Sequence, residues 1–236
     1  MIQLQTHQLQ QKKVVDLIDS ALNQGSVPFS TVEPVADFSS DPRLTLTSVH
    51  FPGADFIATI RDTFITPLQK IDQDHYYYQD DLLHATIKNV RTIANPPTFN
   101  EKDIQTVKEI LEDVAPKYPP IEVFFYRLLL FPNNVSLIGT TSEHLDNIIL
   151  ELDERLAQVG VSDDKTYINN THFFCNITLA RFINPYTNDF KEKVAELSAE
   201  LESNPISYSI DSVTLLTANA VMKKRKDHGS WQFESS

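Results

Sequence analysis

The segments HATI (residues 84–87) and NITL (residues 176–179) decide how this chain is expected to fold. Each begins with a polar residue, has a threonine two positions later and an aliphatic residue after the threonine. Side chains two positions apart lie on the same face of a β-strand. In both segments the polar residue and the threonine therefore share one face, and the apolar residues anchor the other face in the core. The repeat predicts two strands whose polar faces line a common groove.

The polar faces carry groups that suit an anionic substrate. A neutral His84 imidazole can take a proton and an imidazolium can give one near neutral pH. The hydroxyls of Thr86 and Thr178 can donate to phosphoryl oxygens. Two facing strands that each carried a histidine would supply both a base and an acid, with no metal and no cofactor. Asn176 can form hydrogen bonds but does not titrate, and loss of a proton-transfer group costs roughly 10²–10⁴ in rate.

These motifs resemble the two-histidine (2H) phosphoesterase superfamily, which includes the bacterial RNA 2′,3′-cyclic phosphodiesterases, also called 2′-5′ RNA ligases. The flanking sequences ITLARF (177–182) and LFPNNVSLIGTTSEHLDNIILELDERL (130–156) are also similar to that family. The resemblance runs from about Tyr76 to the C-terminus. It implies that the second family histidine falls on Asn176, so that His84, Thr86, Thr178 and the degenerate Asn176 position form the catalytic set.

The resemblance also implies an α+β fold that is bilobal and internally duplicated, with mainly antiparallel sheets flanked by helices and a central groove. Residues 71–236 would form this bilobal domain. Residues 1–70 would form an N-terminal helical extension and the start of the first lobe, in one compact unit with that domain.

Three functions remain open from the sequence. The first is a metal-independent phosphodiesterase for 2′,3′-cyclic phosphates, 2′-5′ linkages or small cyclic nucleotides, with activity reduced by Asn176. The second is an inactive module that binds a nucleotide or an RNA end carrying a phosphodiester. The third is an interaction protein with a vestigial groove.

Two tyrosines and a lysine beside the first motif are candidate substrate contacts. Tyr76 and Tyr78 share a strand face that could stack on a nucleobase, which is worth about 1–3 kcal/mol per base; ordinary packing within the sheet is the alternative. Lys88 continues the face of the first motif, where it could meet a phosphate or end in solvent.

Two residues beside the second motif are further candidates. Arg181 lies opposite Thr178 if the strand is regular, with a structural or phosphate-binding role. His172 precedes Asn176 by four residues on the same face, ~13 Å away along an ideal strand. It could replace the missing histidine only through a bulge or a different substrate pose, and otherwise is a partly exposed residue at the strand entrance.

Composition narrows the functional class. The 236 residues are 41% hydrophobic and 22% charged, as in an ordinary globular protein. The net charge of −12 argues against extended, non-specific binding of nucleic acid but allows a small phosphate ligand in a locally positive cleft. A single cysteine, Cys175, excludes an internal disulfide and favours a cytoplasmic setting. No apolar run approaches 18 residues, so no membrane partner is expected, and a monomer is favoured.

Periodicity and capping signals predict the order of secondary structure. Helices are expected over 8–24, 54–71 (kinked at Pro67), 101–115, 142–159 and 187–202. Strands are expected over 43–51, 75–79, 82–93, 121–131, 134–139, 172–183, 206–217 and 230–235.

Overall fold

The computed structural model describes residues 6–234. The helices are α1 (Thr6–Asn23), α2 (Ala54–Ile60), α3 (Thr66–Ile71), α4 (Glu101–Val114), α5 (His144–Gln158) and α6 (Asn188–Ser203). The strands are β1 (Leu44–His50), β2 (Tyr76–Tyr77), β3 (Ala85–Ala94), β4 (Ile121–Phe131), β5 (Asn134–Thr141), β6 (Cys175–Arg181), β7 (Ile206–Ile210), β8 (Ser212–Ala218) and β9 (Arg225–Gln232). Among the described residues no helix is long and apolar enough to span a bilayer.

The strands form two antiparallel halves that meet at one seam. The order is β7-β4-β5-β6-β3-β1-β8-β9, with β2 also paired to β6. Strands β9, β8, β1 and β3 form the first half, and β6, β5, β4 and β7 form the second. Between β3 and β6 the pairing is a single position, Ala85 opposite Ile177. The predicted bilobal α+β fold with mainly antiparallel sheets is therefore confirmed.

That seam positions the two sequence motifs. Ala85 directly follows His84, and Ile177 directly follows Asn176. In an antiparallel register centred on this pair, His84 faces toward Thr178 and Thr86 faces toward Asn176. The duplicated segments thus lie side by side where the halves meet.

Helix α1 packs on the second half of the sheet, although the strand that follows it belongs to the first half. Its apolar stripe, Val14, Val15 and Ile18, is buried against Tyr126, Leu129 and Ile138. Arg127 of β4 forms ion pairs with Asp16 and Asp19 of the same helix. Helix α1 is therefore packed on the second half of the sheet by both apolar contacts and ion pairs.

The strands expected over 75–79, 82–93 and 172–183 have other bounds in the structure, at Tyr76–Tyr77, Ala85–Ala94 and Cys175–Arg181. Three further predicted elements differ more. The strand expected over 206–217 is two strands, because the chain crosses from β4 in the second half to β1 in the first at Asp211. The helix expected over 54–71, with a kink at Pro67, is interrupted earlier, by a π-helical turn at Arg61–Ile65. Pro67 lies in the first turn of α3, where its missing N–H is tolerated. The last strand begins earlier than expected, at Arg225, and position 235 lies outside the described residues.

Candidate functional site

A cavity of about 280 Å³ lies where the two halves meet, and it contains all four polar residues of the repeated motifs. His84, Thr86, Asn176 and Thr178 line this one space. The polar faces predicted from the period-two pattern thus share a common opening. The Thr178 hydroxyl lies 3.3 Å from that of Ser136 on β5.

His84 is held in one tautomer. Its Nδ1 lies 2.8 Å from the carbonyl oxygen of Leu82, which can only accept, so Nδ1 carries the proton. Nε2 is then the basic nitrogen, and the hydrogen bond of Nδ1 is the one that the described residues form with this ring. Burial lowers the pKa of His84 to about 4, the Leu82 carbonyl opposes this, and the charges of Arg181 and Arg225 lower it further. At neutral pH His84 is an uncharged base in the cavity wall.

A β-bulge interrupts both motif strands at the same relative position. On β3, Ser48 pairs with Lys88 and Val49 pairs with Thr86, so Ile87 is the extra residue. A bulge shifts the alternation by one, and the residues after it exchange faces. Lys88 therefore leaves the cavity face and Asn89 takes it.

The same shift occurs on β6. Val135 pairs with Ala180 and Ser136 pairs with Thr178, so Leu179 is the extra residue. The expectation that Arg181 lies opposite Thr178 is wrong for this reason: both side chains line the cavity. Asn89 and Arg181, each five positions after the first residue of its motif, are equivalent in the duplication.

Lys88 is not a phosphate contact. Its side chain is 1% exposed, and its ammonium nitrogen lies 2.5 Å from carboxylate oxygens of both Asp153 and Asp163. It also lies over the ring of Tyr167. The position predicted as a substrate contact is instead a buried ion pair that ties β3 to α5 and to the loop before β6.

The Arg181 guanidinium lies at the cavity and is held in place by hydrogen bonds from its Nε. Its Nε donates to the Tyr78 hydroxyl and to the Ala220 carbonyl, both at 3.0 Å. The Tyr78 hydroxyl in turn donates to the same carbonyl at 2.7 Å. No carboxylate of the described chain pairs with this guanidinium, so its terminal nitrogens are available to an anion.

The predicted base-stacking tyrosines do not line the cavity. Tyr78 is 3% exposed and packs beside His84, so its ring is part of the core. Tyr76 packs against Phe38 and Tyr78. Tyr76 and Tyr78 lie together as predicted, but they point into the protein.

Other aromatic rings take their place around the cavity. The lining contains Phe29, Phe131, Tyr167, Phe173 and Phe174. None of these was singled out in the sequence, because they come from separate loops and strand ends. They provide flat apolar surfaces of the kind on which nucleobases stack.

Lys165 is a second cationic residue that lines the cavity, and no sequence pattern predicted it. It lies in the loop between α5 and β6, and among the described residues no carboxylate lies within ion-pairing distance of its ammonium. Burial lowers its pKa to about 8; Asp163 acts in the opposite direction, and Lys88 and Arg181 lower it further. A loop lysine gives no periodic signal, and only the tertiary structure reveals it.

His172 lines the cavity, as does Asn176, four residues later. Its Nδ1 lies 3.2 Å from Oδ2 of Asp146, a buried carboxylate at the start of α5. The side chain is 36% exposed, in keeping with the expected strand entrance. Strand β6 begins only at Cys175, so the extended geometry assumed between residues 172 and 176 does not hold throughout.

The sequence matches no protein-family model, and no curated protein is significantly similar to it. Solved structures do share its fold. A crystal structure titled phosphoesterase is 14% identical and has a TM-score of 0.53, with 82% of this chain and 99% of that chain covered. E. coli LigT complexed with 3′-AMP is 13% identical with a TM-score of 0.50, covering 83% and 100%. A Thermus thermophilus protein is 12% identical with a TM-score of 0.54, covering 81% and 97%. The resemblance identified in the motifs is thereby confirmed at the level of the fold.

Proposed function

We propose that this chain, which has the fold of LigT-like phosphoesterases, binds a nucleotide or RNA end through its phosphodiester and hydrolyses it slowly. The substrates are 2′,3′-cyclic phosphates or 2′-5′ linkages. The observation that carries the proposal is the state of His84: a neutral imidazole with its Nδ1 proton fixed on Leu82, beside two threonine hydroxyls in one cavity. The LigT structure with 3′-AMP supports a nucleotide as the ligand.

The residues divide into binding and proton-transfer roles. Arg181 and the hydroxyls of Thr86 and Thr178 hold the phosphoryl oxygens, which places a local positive charge inside a protein whose net charge is −12. Water attacks phosphorus while His84 Nε2 takes its proton. The bond from phosphorus to one ribose oxygen breaks, and that oxygen receives a proton to become a hydroxyl. For a 2′,3′-cyclic phosphate the product is a phosphomonoester with a free neighbouring hydroxyl, and for a 2′-5′ linkage the products are a phosphomonoester and a separate nucleoside with a free hydroxyl.

Asn176 cannot supply the leaving-group proton, because an amide does not titrate in this range. Lys165 can supply it: with a pKa of about 8, its ammonium is mostly protonated at neutral pH and is still acidic enough to donate. We assign Lys165 as the general acid. Asn176 then acts as a hydrogen-bonding residue for the phosphate or the ribose.

Asn176 also favours a second candidate function, a binding module without turnover. If Lys165 does not reach the leaving oxygen, one of the two proton transfers is missing and the rate falls by roughly 10²–10⁴. The cavity would still bind the phosphate through the same cations and hydroxyls. Affinity without hydrolysis distinguishes this function from the first.

The test is a hydrolysis panel on 2′,3′-cyclic nucleotides and 2′-5′ dinucleotides with the parent protein, Asn176→His and His84→Gln. We expect slow hydrolysis by the parent, faster hydrolysis with histidine at 176, and none with His84→Gln. Thermal unfolding of each variant controls for folding. Hydrolysis that persists in His84→Gln would overturn the enzyme proposal, and binding of 3′-AMP without hydrolysis by the parent would establish the binding module.

A further inference from the structure

Three metal-ligating side chains meet beside the cavity, although they are far apart in the chain. His7 comes from α1, Asp146 from α5 and His172 from the loop before β6. One ligand atom of each lies within 4.8 Å of the other two. From Oδ2 of Asp146, the His7 Nδ1 is 3.5 Å away and the His172 Nδ1 is 3.2 Å away.

These separations fit a tetrahedral metal ion. Zinc binds imidazole nitrogen and carboxylate oxygen at about 2.0–2.2 Å, which makes each edge of the ligand tetrahedron roughly 3.3–3.5 Å. The two separations from Oδ2 of Asp146, 3.5 and 3.2 Å, lie close to that edge. We propose that His7, Asp146 and His172 form a site for a divalent transition-metal ion of the zinc type, a function separate from phosphodiester chemistry.

The carboxylate is already oriented for such an ion. Asp146 is 5% exposed, and its Oδ1 accepts a hydrogen bond from the backbone N–H of Phe173 at 2.7 Å. That bond fixes the carboxylate and turns Oδ2 toward both imidazoles. A hydrogen bond that orients a ligating carboxylate is a usual feature of metal sites.

His7 provides a second, independent observation. Its Nε2 is buried and has no hydrogen bond, and its Nδ1 approaches Asp146 only to 3.5 Å. Within residues 6–234 the ring therefore makes no hydrogen bond at either nitrogen. An ion between Nδ1 and Oδ2 would give Nδ1 the bond that the described residues do not provide, while the buried Nε2 would carry the proton of the ring.

The site would fasten α1 to the second half of the sheet. One turn after His7, the buried Gln11 donates to the Phe173 carbonyl at 2.6 Å and to the Thr141 hydroxyl at 2.8 Å. This helix also contributes Val14 and Ile18 to the cavity wall. Metal binding at the start of α1 would therefore stabilise the cavity wall against which the substrate would lie.

The experiment is calorimetric titration of the metal-free full chain with Zn(II), together with visible absorption of the Co(II) complex. We expect one ion per chain and a tetrahedral Co(II) spectrum. His172→Asn should weaken Zn(II) binding by at least ~10-fold, and His228→Asn, on the edge strand β9, should leave it unchanged.

His7→Asn is the second variant, because it tests the site from a different element. Zn(II) should raise the Tm of the parent and fail to raise that of either variant, with the far-UV spectra of all three matching. Absence of stoichiometric binding to the parent, or binding that neither substitution weakens, would overturn the metal site and leave Asp146 hydrogen-bonded to His172, with His7 beside it. Neither result depends on hydrolysis, so the proposed function is tested separately.

Discussion

The pH dependence of hydrolysis follows from two groups with displaced pKa values. His84 acts as a base only when neutral, which requires a pH above about 4, its pKa in the free protein. Lys165 acts as an acid only when protonated, which requires a pH below about 8. The profile of kcat/KM reports the pKa values of the free enzyme. We therefore expect a broad plateau between these limits.

The size of the effect can be worked from these values. At pH 6 nearly all molecules hold both groups in the active form. One unit beyond either limit, at pH 3 or pH 9, the active fraction falls to roughly 9%, and each further unit reduces it about tenfold. A pair of unperturbed histidines would instead confine activity to a narrow maximum near pH 6.5.

The assay is initial rates with a 2′,3′-cyclic nucleotide from pH 3 to pH 10, with stability monitored at each pH. Lys165→Gln should remove the alkaline limb and lower the plateau by roughly 10²–10⁴. Lys13→Gln, an exposed lysine of α1, is the matched control and should change neither. An alkaline limb that survives in Lys165→Gln would refute the assignment of this lysine as the acid.

Three further predictions concern residues around the cavity. Lys88→Ala should lower the free energy of unfolding by about 3–5 kcal/mol in urea titration, because it leaves Asp153 and Asp163 without their buried cation; an unchanged midpoint would contradict the buried ion pair. Arg181→Met should weaken binding of 3′-AMP in calorimetry at least ~10-fold with little loss of stability, and unchanged affinity would remove Arg181 from the phosphate site. Gln11→Ala should lower the free energy of unfolding by about 1–3 kcal/mol, because it leaves the Thr141 N–H unpaired in the core. Hydrogen exchange at the Thr141 amide should accelerate. Exchange as slow as in the parent would count against this role of Gln11.

The period-two pattern was sufficient to place the first two polar residues of each motif. His84 and Thr86, like Asn176 and Thr178, share a face because no irregularity falls between them. The pattern failed after the bulges at Ile87 and Leu179. A single extra residue moved Lys88 away from the cavity and Arg181 into it, and nothing local in the sequence marks either bulge.

Other features depend on contacts that are distant in sequence. At Asp211 the alternation changes phase, from apolar residues at 206, 208 and 210 to apolar residues at 213 and 215, but which strands the two parts pair with depends on the tertiary structure. Lys165 lies in a loop without periodicity, and Asp146 follows His7 by 139 positions. Only the packing of α1, α5 and the loop before β6 brings such groups together.

The central claim is that side chains from both motif strands act on one bound phosphate. NMR titration of the labelled His84 imidazole, with and without 3′-AMP, tests it directly. An anion beside the ring favours the imidazolium, so 3′-AMP should raise the His84 pKa by roughly 1–3 units. Thr178→Val, on the other strand, should diminish that rise, whereas the exposed Thr59→Val should not. A pKa that 3′-AMP leaves at its free value, or a rise indifferent to Thr178→Val, would contradict the account.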